Sequence, residues 1–364
     1  MSTEFNNHPF IDLEKLFLDD PLEILRLQQA FETNGWCFVH LSKNSRSFVT
    51  QLNHINQSLS NFFSLDQAEK SRYLSSNAFG YSCIGHKEGI KILTDQQGIT
   101  DSQSVLPMSI EATLQHISQL ISNLTYRLKP IITKLTVSDD KSSKQVELSA
   151  FAMLDIVQYF NKKTGPTKIP EVGYNTDEVN CVPHYDPGLF SLSILSTCDG
   201  LQLKDQRENK WIDGPDNSQV DQSNIGVIWL GEAASILTGN RFKSGIHRVI
   251  YPRTAHQARL TVWQEVCTEG QIKQLFEQNN NVELLPADAE VILANQPDSL
   301  PMSVLPGGET PHAFMKRVES RRGLAMSKSR LSDIKLYSQS TNKTNRRPSP
   351  SKSKNTFSSL KTKK

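Results

Sequence analysis

The stretch "CVPHYDPGLF", residues 181–190, decides the reading of this chain. It sets His184 and Asp186 two positions apart, just ahead of a Pro-Gly turn. In an extended strand, residues i and i+2 point to the same face, so an imidazole and a carboxylate would enter one space. Such a pair is the beginning of a metal site. A hard-to-borderline divalent ion accepts both ligand types, and three protein ligands on one face leave positions open for substrate or oxygen. The third ligand must come from another strand. "SGIHRVIYP" offers His247, 63 residues after His184, at the head of a strand-like apolar run. The other histidines are placed worse for this role. His54 and His116 fall within expected helices, and His8, His256 and His312 fall in polar or loop contexts.

Around this pair the sequence is all-β in character. "FAMLDIVQYF", "FSLSILS", "LQLKD", "IGVIWLG", "ASILTG", "HRVIYP" and "RLTVWQEV" are short runs rich in β-branched and aromatic residues, separated by Gly, Asn, Asp and Pro. They predict a sandwich or barrel of short strands rather than a βαβ array. Upstream the period changes. "PFIDLEKLF" predicts a short strand entering a turn. "DPLEILRLQQAFETNG" has helical spacing, opened by Asp-Pro and stopped at Gly35. "WCFVHL" reads as a buried strand. Two longer helices follow, one over "FVTQLNHINQSLSNFFSLDQAEKSRYL" with a break near Ser64. The other carries Leu114, Ile117, Leu120, Ile121 and Leu124 on one face. The expected organisation is a helical N-terminal region over 1–147, a β core over 148–270, and a mixed segment over 271–327 with a helix near "QIKQLFEQ". A polar basic tail over 328–364, unable to bury a core, completes it.

The chain has 364 residues, 37% hydrophobic and 21% charged, which suits a folded body. Its formal charge of +2 conceals an asymmetry. Residues 328–364 carry eleven Lys/Arg against one acid, Asp333, a balance of 11 − 1 = +10, so residues 1–327 sum to 2 − 10 = −8. The five cysteines are scattered and form no CxxC, which argues against a disulfide framework or a zinc site and for a reducing compartment. No stretch approaches the ~18 apolar residues of a spanning helix, and the N-terminus does not read as a signal peptide. A cytoplasmic location is expected, with a nuclear one as the alternative that the basic tail suggests. That tail reads as a solvated segment. Binding to nucleic acid or an acidic partner is its alternative reading, and no aromatic interleaving supports base stacking.

The pieces from His184 to Thr261 run in a telling order: "HYDPGLFSL", "DGLQLKD", "KWIDGP", "ILTGNRFKSGIHRVIYP", then "ARLTVWQEV". In this order they resemble the iron- and 2-oxoglutarate-dependent oxygenases of the isopenicillin N synthase-like, plant-type group. "FIDLEKL", "AFETNGWCFV", "NFFSLDQAEKSRY" and "GYSCIGHKE" resemble that group's N-terminal region, so the likeness spans roughly residues 9–265. The resemblance implies a double-stranded β-helix (jelly-roll) core with a helical N-terminal cap. It implies His184, Asp186 and His247 as Fe(II) ligands, with 2-oxoglutarate and O2 at the remaining positions. Arg259 with Thr261 matches the pair that holds the distal carboxylate of 2-oxoglutarate. An arginine fork suits a carboxylate on chemical grounds as well. Tyr159 matches a tyrosine that touches the same carboxylate. Trp229, Leu195 and Phe190 are candidates to line the barrel.

The activity this implies is hydroxylation or desaturation of a small organic substrate, with release of succinate and CO2. Two alternatives stand beside it: an oxidase of the same fold that needs no cosubstrate, and an inactive scaffold used for binding or regulation. The chain departs from the family pattern at Gln158–Asn161 and at Trp229–Glu232, and its gap from His247 to Arg259 is about two residues longer. The resemblance places substrate specificity in the cap, in a loop around 87–105 and in the C-terminal segment.

Overall fold

The computed structural model describes residues 8–74, 79–84, 87–100, 106–137, 146–160, 179–252 and 258–278. Two sheets form the body. The larger has nine strands in the order β1 (Phe10–Asp12), β2 (Trp36–His40), β11 (Ile225–Leu230), β8 (Phe190–Ser196), β13 (Arg259–Thr268), β6 (Leu148–Tyr159), β4 (Lys87–Asp95) and β3 (Gly80–Ile84). Strand β5 (Gly98–Ile99) pairs with β4. The smaller has four, in the order β10 (Lys210–Asp213), β9 (Leu201–Asp205), β12 (His247–Ile250) and β7 (Val179–His184). This is the double-stranded β-helix, mostly β with helices attached.

Alternation along the strands sorts side chains between two interiors. The N-terminal helices are α1 (Leu13–Leu16), α2 (Pro21–Thr33), α3 (Ser45–Phe63), α4 (Gln67–Lys70) and α5 (Glu111–Thr136). One face of the large sheet turns to α3 and α5. There Ile90, Ile92, Leu154, Ile156, Leu192 and Val262 pack with Leu52, Ile55 and Leu59 of α3 and with Leu114, Ile117 and Ile121 of α5. The other face turns to the small sheet. Trp36, Phe38, Val227 and Trp229 pack there against Leu201, Leu203 and Ile212, and Val157 and Tyr159 pack against Cys181 and Val249.

Local signals fix the helix ends. Asp20 caps α2, accepting from the backbone N–H of Leu22 and Glu23, with Pro21 at the first helical position. Gly35 ends that helix at φ +75°, and a Cβ there would meet Lys243 O at 2.3 Å. A cap contributes ~1 kcal/mol, whereas each fully buried Leu or Ile contributes ~1.5–3 kcal/mol. Packing against the sheet therefore dominates the stability of these helices.

The helix-facing side also buries polar groups in matched sets. Gln264 Nε2 donates to Thr94 Oγ1 and Ser122 Oγ, while its Oε1 accepts from Thr125 Oγ1 at 2.5 Å. Lys70 Nζ lies 2.7 Å from Glu88 Oε2 and also donates to Phe63 O, and Tyr81 Oη and Gln158 Nε2 donate to the same carboxylate. Removing one partner of such a pair strands a buried charge at a cost of ~3–5 kcal/mol. Glu88→Ala is thus expected to lower unfolding stability by about that amount in denaturant titrations. Lys70→Met combined with Glu88→Leu should recover most of it.

Several expectations are corrected. The N-terminal region supplies the expected helices and the two expected strands, β1 and β2, and adds three more to the large sheet, β3, β4 and β5, with β4 pairing along β6 from Lys87↔Tyr159 to Thr94↔Ala152. The stretch from residue 87, expected as a specificity loop, is therefore strand β4 up to Asp95; residues 101–105 lie outside the described residues. "ASILTG", expected as a strand, lies in helix α6 (Glu232–Leu237) and its end. The run Glu-Ala-Ala is a good helix former, and Gly231 just before it lies so close to Gly188 that no Cβ would fit. The expected helix near "QIKQLFEQ" is α7 (Glu269–Gln278). The remainder of the 271–327 segment, the basic tail, His256 and His312 lie outside the described residues. No helix among the described residues is long and apolar enough to cross a membrane.

Candidate metal and cosubstrate site

Strands β7 and β12 place the two histidines. They are antiparallel neighbours with His184 directly opposite His247, so both imidazoles leave the small sheet on one face with ring centroids 4.1 Å apart. Asp186 is not on the strand, as its spacing from His184 suggested. Strand β7 ends at His184, and Asp186 stands in the turn that follows. Its backbone oxygen accepts from Glu232 N at 2.7 Å. Its Oδ2 accepts from Ser191 Oγ and from Trp229 Nε1, each at 2.6 Å. That leaves Oδ1 facing His184 Nε2 at 3.7 Å and His247 Nε2 at 3.8 Å.

His247 Nδ1 donates to Gly245 O at 3.0 Å, which turns the lone pair of Nε2 toward Asp186. His184 Nδ1 lies 3.7 Å from Cys181 Sγ. The turn is held from below by Glu265, whose Oε1 accepts from Gly188 N at 2.6 Å. A Cβ on residue 188 would meet that oxygen at 2.5 Å, so glycine is required by close approach.

All three residues are buried, and their donor atoms lie within 4.8 Å of one another. The donor set, two imidazole nitrogens and one carboxylate oxygen on one side, fits a divalent iron with open positions opposite. Burial opposes charge on Asp186. The imidazoles of His247 and His184 and the hydrogen bonds from Ser191 and Trp229 outweigh it and hold the carboxyl below its ordinary range. Glu265 goes the other way. Burial, and then the charge of Asp186, push it well above the usual carboxylate range. Trp229→Phe removes one of the two donors to Oδ2 while keeping an aromatic ring. It is expected to weaken metal affinity by about 10–100-fold, read by metal titration.

A cavity opens beside the triad, with His184, Asp186 and His247 in its wall. Its lining follows from strand register. Arg259 pairs with Tyr159, Thr261 with Val157, and Trp263 with Asp155, and all six line the cavity. Arg259 is 1% exposed. It donates from Nη2 to Ser196 Oγ at 2.7 Å, while its buried Nε has no hydrogen-bond partner among the described residues. Burial lowers its pKa. A buried guanidinium with an unused donor is suited to a ligand carboxylate. Thr261 Oγ1 is tied to Leu195 O at 3.0 Å, and the Tyr159 ring centroid lies 6.0 Å from the guanidinium carbon of Arg259.

Of the expected lining residues Trp229 faces the cavity, whereas Phe190 and Leu195 pack in the core shared with the helices. Reasoning from sequence missed the serines. Strand β8 has a bulge between its Val262 and Trp263 partners, which returns Ser196 to the face already occupied by Ser191 and Ser193. It also missed Lys87, Lys91, Asp155 and Glu265. The available signal was polar residues at alternate positions of apolar strands.

Residues 156–266 match the family model of the 2OG-Fe(II) oxygenase superfamily. No curated protein matches on sequence. Among solved structures, a full-length Neurospora crassa protein in complex with alpha-KG and 5-formyluracil is similar at TM-score 0.54 and 19% identity, over 72% of this chain and 84% of that one. A dioxygenase for auxin oxidation from Arabidopsis thaliana, bound to 2-oxoglutarate, gives TM-score 0.52 and 16% identity over 72% and 92%. JOX2 in complex with 2OG, Fe and JA gives 0.53 and 19% over 73% and 76%. These likenesses establish the shared fold. The segment that builds the site, residues 156–266, is a 2OG-Fe(II) oxygenase domain, and the protein is an oxygenase that uses Fe(II), 2-oxoglutarate and O2.

Proposed function

We propose that the protein hydroxylates or desaturates a small organic molecule bound in the cavity beside Asp186, releasing succinate and CO2. His184, Asp186 and His247 hold the iron. Arg259 holds the distal carboxylate of 2-oxoglutarate, with Thr261 and Tyr159 beside it. One observation carries this reading: two imidazole nitrogens and a carboxylate oxygen converge at one end of a cavity that also contains a buried arginine with a spare donor. When bound, the iron and the keto acid supply the activation of O2 that removes a hydrogen from the substrate. The chain supplies position and exclusion of water. Ser191 and Trp229 fix the carboxylate of Asp186, and Gly245 fixes the ring of His247. Arg259, anchored by Ser196, would hold the cosubstrate's distal carboxylate at the cavity wall. The solved complexes with 5-formyluracil and with JA support a small-molecule substrate, since they hold such molecules in the same fold.

The test is succinate release from 2-oxoglutarate by the iron-loaded protein, with and without a library of small organic compounds. A slow release that selected compounds accelerate is expected. Oxygen consumption without any succinate would instead indicate an oxidase that needs no cosubstrate, and absence of both an inactive scaffold.

A further inference from the structure

Two indoles line the cavity, and the structure uses them differently. Trp229 is committed to the metal side. It is 3% exposed, its Nε1 donates to Asp186 Oδ2 at 2.6 Å, and its ring centroid lies 4.6 Å from that of His247. Trp263 stands two strands away, since β8 lies between β11 and β13. It sits at the middle of β13 and keeps accessible surface, whereas its neighbours from Arg259 to Val262 and from Gln264 to Cys267 are buried. Register shows what surrounds it. A row Lys91–Asp155–Trp263–Ser193 crosses the sheet, because β4 pairs with β6, β6 with β13 and β13 with β8. Two positions away along β13, on the same face, are Thr261 and Glu265. All of these residues line the cavity. Lys91 and Asp155 are paired with each other, Nζ lying 3.0 Å from Oδ1. The nearest positions around Trp263 on this face of the large sheet are therefore polar. Its apolar contacts include the clusters that contain Leu201 and Val249 of the small sheet.

A part-open indole on an interior wall, ringed by polar side chains, is a platform for a flat ligand. Aromatic rings pair in offset-stacked or edge-to-face contact, which adds affinity beyond the burial of area alone. A saturated ring is puckered and gains only the area. The polar rim suits heteroatoms or polar substituents at the edge of the ring. An apolar body held by a few placed polar groups is the usual way a pocket fixes a small molecule. A ring on Trp263 also stands apart from the cosubstrate clamp. Trp263 is four residues along β13 from Arg259, roughly 13 Å between Cα atoms.

Resting on the function proposed above, we infer that the substrate carries a flat aromatic or heteroaromatic ring and that this ring stacks on Trp263. Trp263 is thereby the residue that selects the substrate class, while Trp229 positions a metal ligand.

The experiment compares wild type with Trp263→Phe, Trp263→Leu and Trp263→Met, all as the full chain loaded with Fe(II). The two aliphatic variants differ in shape, so that either one, if folded by thermal unfolding, suffices. The probes are compound pairs that share a polar group and differ in the ring, such as benzamide with cyclohexanecarboxamide and benzoate with cyclohexanecarboxylate. Each library compound that accelerates succinate release joins them, paired with its ring-saturated or aromatic counterpart. Succinate release above the compound-free rate, calorimetric binding without O2 and 2-oxoglutarate affinity are read. The aromatic member of a pair should stimulate release and bind about 3–10-fold tighter than the saturated one. In the aliphatic variants its affinity should fall about 10–100-fold, and the preference within each pair should vanish. Trp263→Phe should keep the preference. Equal binding within pairs in wild type, a preference that survives in a folded aliphatic variant, or release that no aromatic compound accelerates would overturn the inference. So would a large loss of 2-oxoglutarate affinity in the aliphatic variants, which would place Trp263 against the cosubstrate. Wild type that releases no succinate under any condition fails the proposed function itself, a separate outcome.

Discussion

Replacing Asp186 by asparagine is expected to abolish turnover while leaving the protein folded. The two donors on Oδ2, Ser191 Oγ and Trp229 Nε1, decide this outcome. They would bind the amide oxygen of the new side chain and turn its NH2 toward the iron position now faced by Oδ1. A donor would then stand where a lone pair is needed. The loss of metal affinity should exceed the ~10–100-fold that removal of a supporting residue costs, because a charged ligand itself is gone. Asp186→Ala should give the same loss of turnover with an added stability cost. It leaves the Trp229 and Ser191 donors buried without an acceptor, at ~1–3 kcal/mol each. Thermal unfolding, metal content and succinate release, measured together, separate the two effects. An Asp186→Asn variant that binds iron and turns over normally would remove Asp186 from the site.

The second large effect is expected at Arg259. Arg259→Ala should raise the 2-oxoglutarate concentration needed for half-maximal succinate release by about thirtyfold to a thousandfold. This corresponds to ~2–4 kcal/mol for a buried, charge-assisted carboxylate clamp. Arg259→Lys should recover only part, because an ammonium cannot present the planar fork and is set back from Ser196. The iron affinity should change far less than in Asp186→Asn, since Arg259 touches none of the three metal-facing side chains in the described structure. A 2-oxoglutarate requirement unchanged by Arg259→Ala would show that the cosubstrate is held elsewhere.

Much of this site was legible in the sequence, and the reasons are local. His184 and His247 each begin or end an apolar run, and polar residues at the ends of apolar strands are rarely idle. Arg259, Thr261 and Trp263 alternate on one strand, so their common face follows from a period of two. The position of Asp186 was only half legible. Its spacing from His184 suggested a shared strand, whereas its place depends on Ser191, Trp229 and Glu232, contributed by three other segments. Lys87 and Lys91 were invisible as site residues because their meaning rests on pairing between β4 and β6, some 70 residues apart in the chain. Read alone, "KEGIKILTD" resembles a surface stretch with charged residues. Helix α6 was not legible because "ASIL" is as apolar as a strand, and the close approach of Gly231 to Gly188 just before it is a tertiary fact.

The proposed centre is one Fe(II) held jointly by His184, Asp186 and His247 in a cavity that also admits 2-oxoglutarate. Anaerobic titration of Fe(II) into the metal-free protein with 2-oxoglutarate tests it most directly, through the visible charge-transfer absorption of the iron–keto acid complex. The expected result is a band that saturates at one iron per chain, disappears in Asp186→Asn, and in Arg259→Ala requires far more 2-oxoglutarate. No band in the wild type, or an undiminished band in Asp186→Asn, would contradict it.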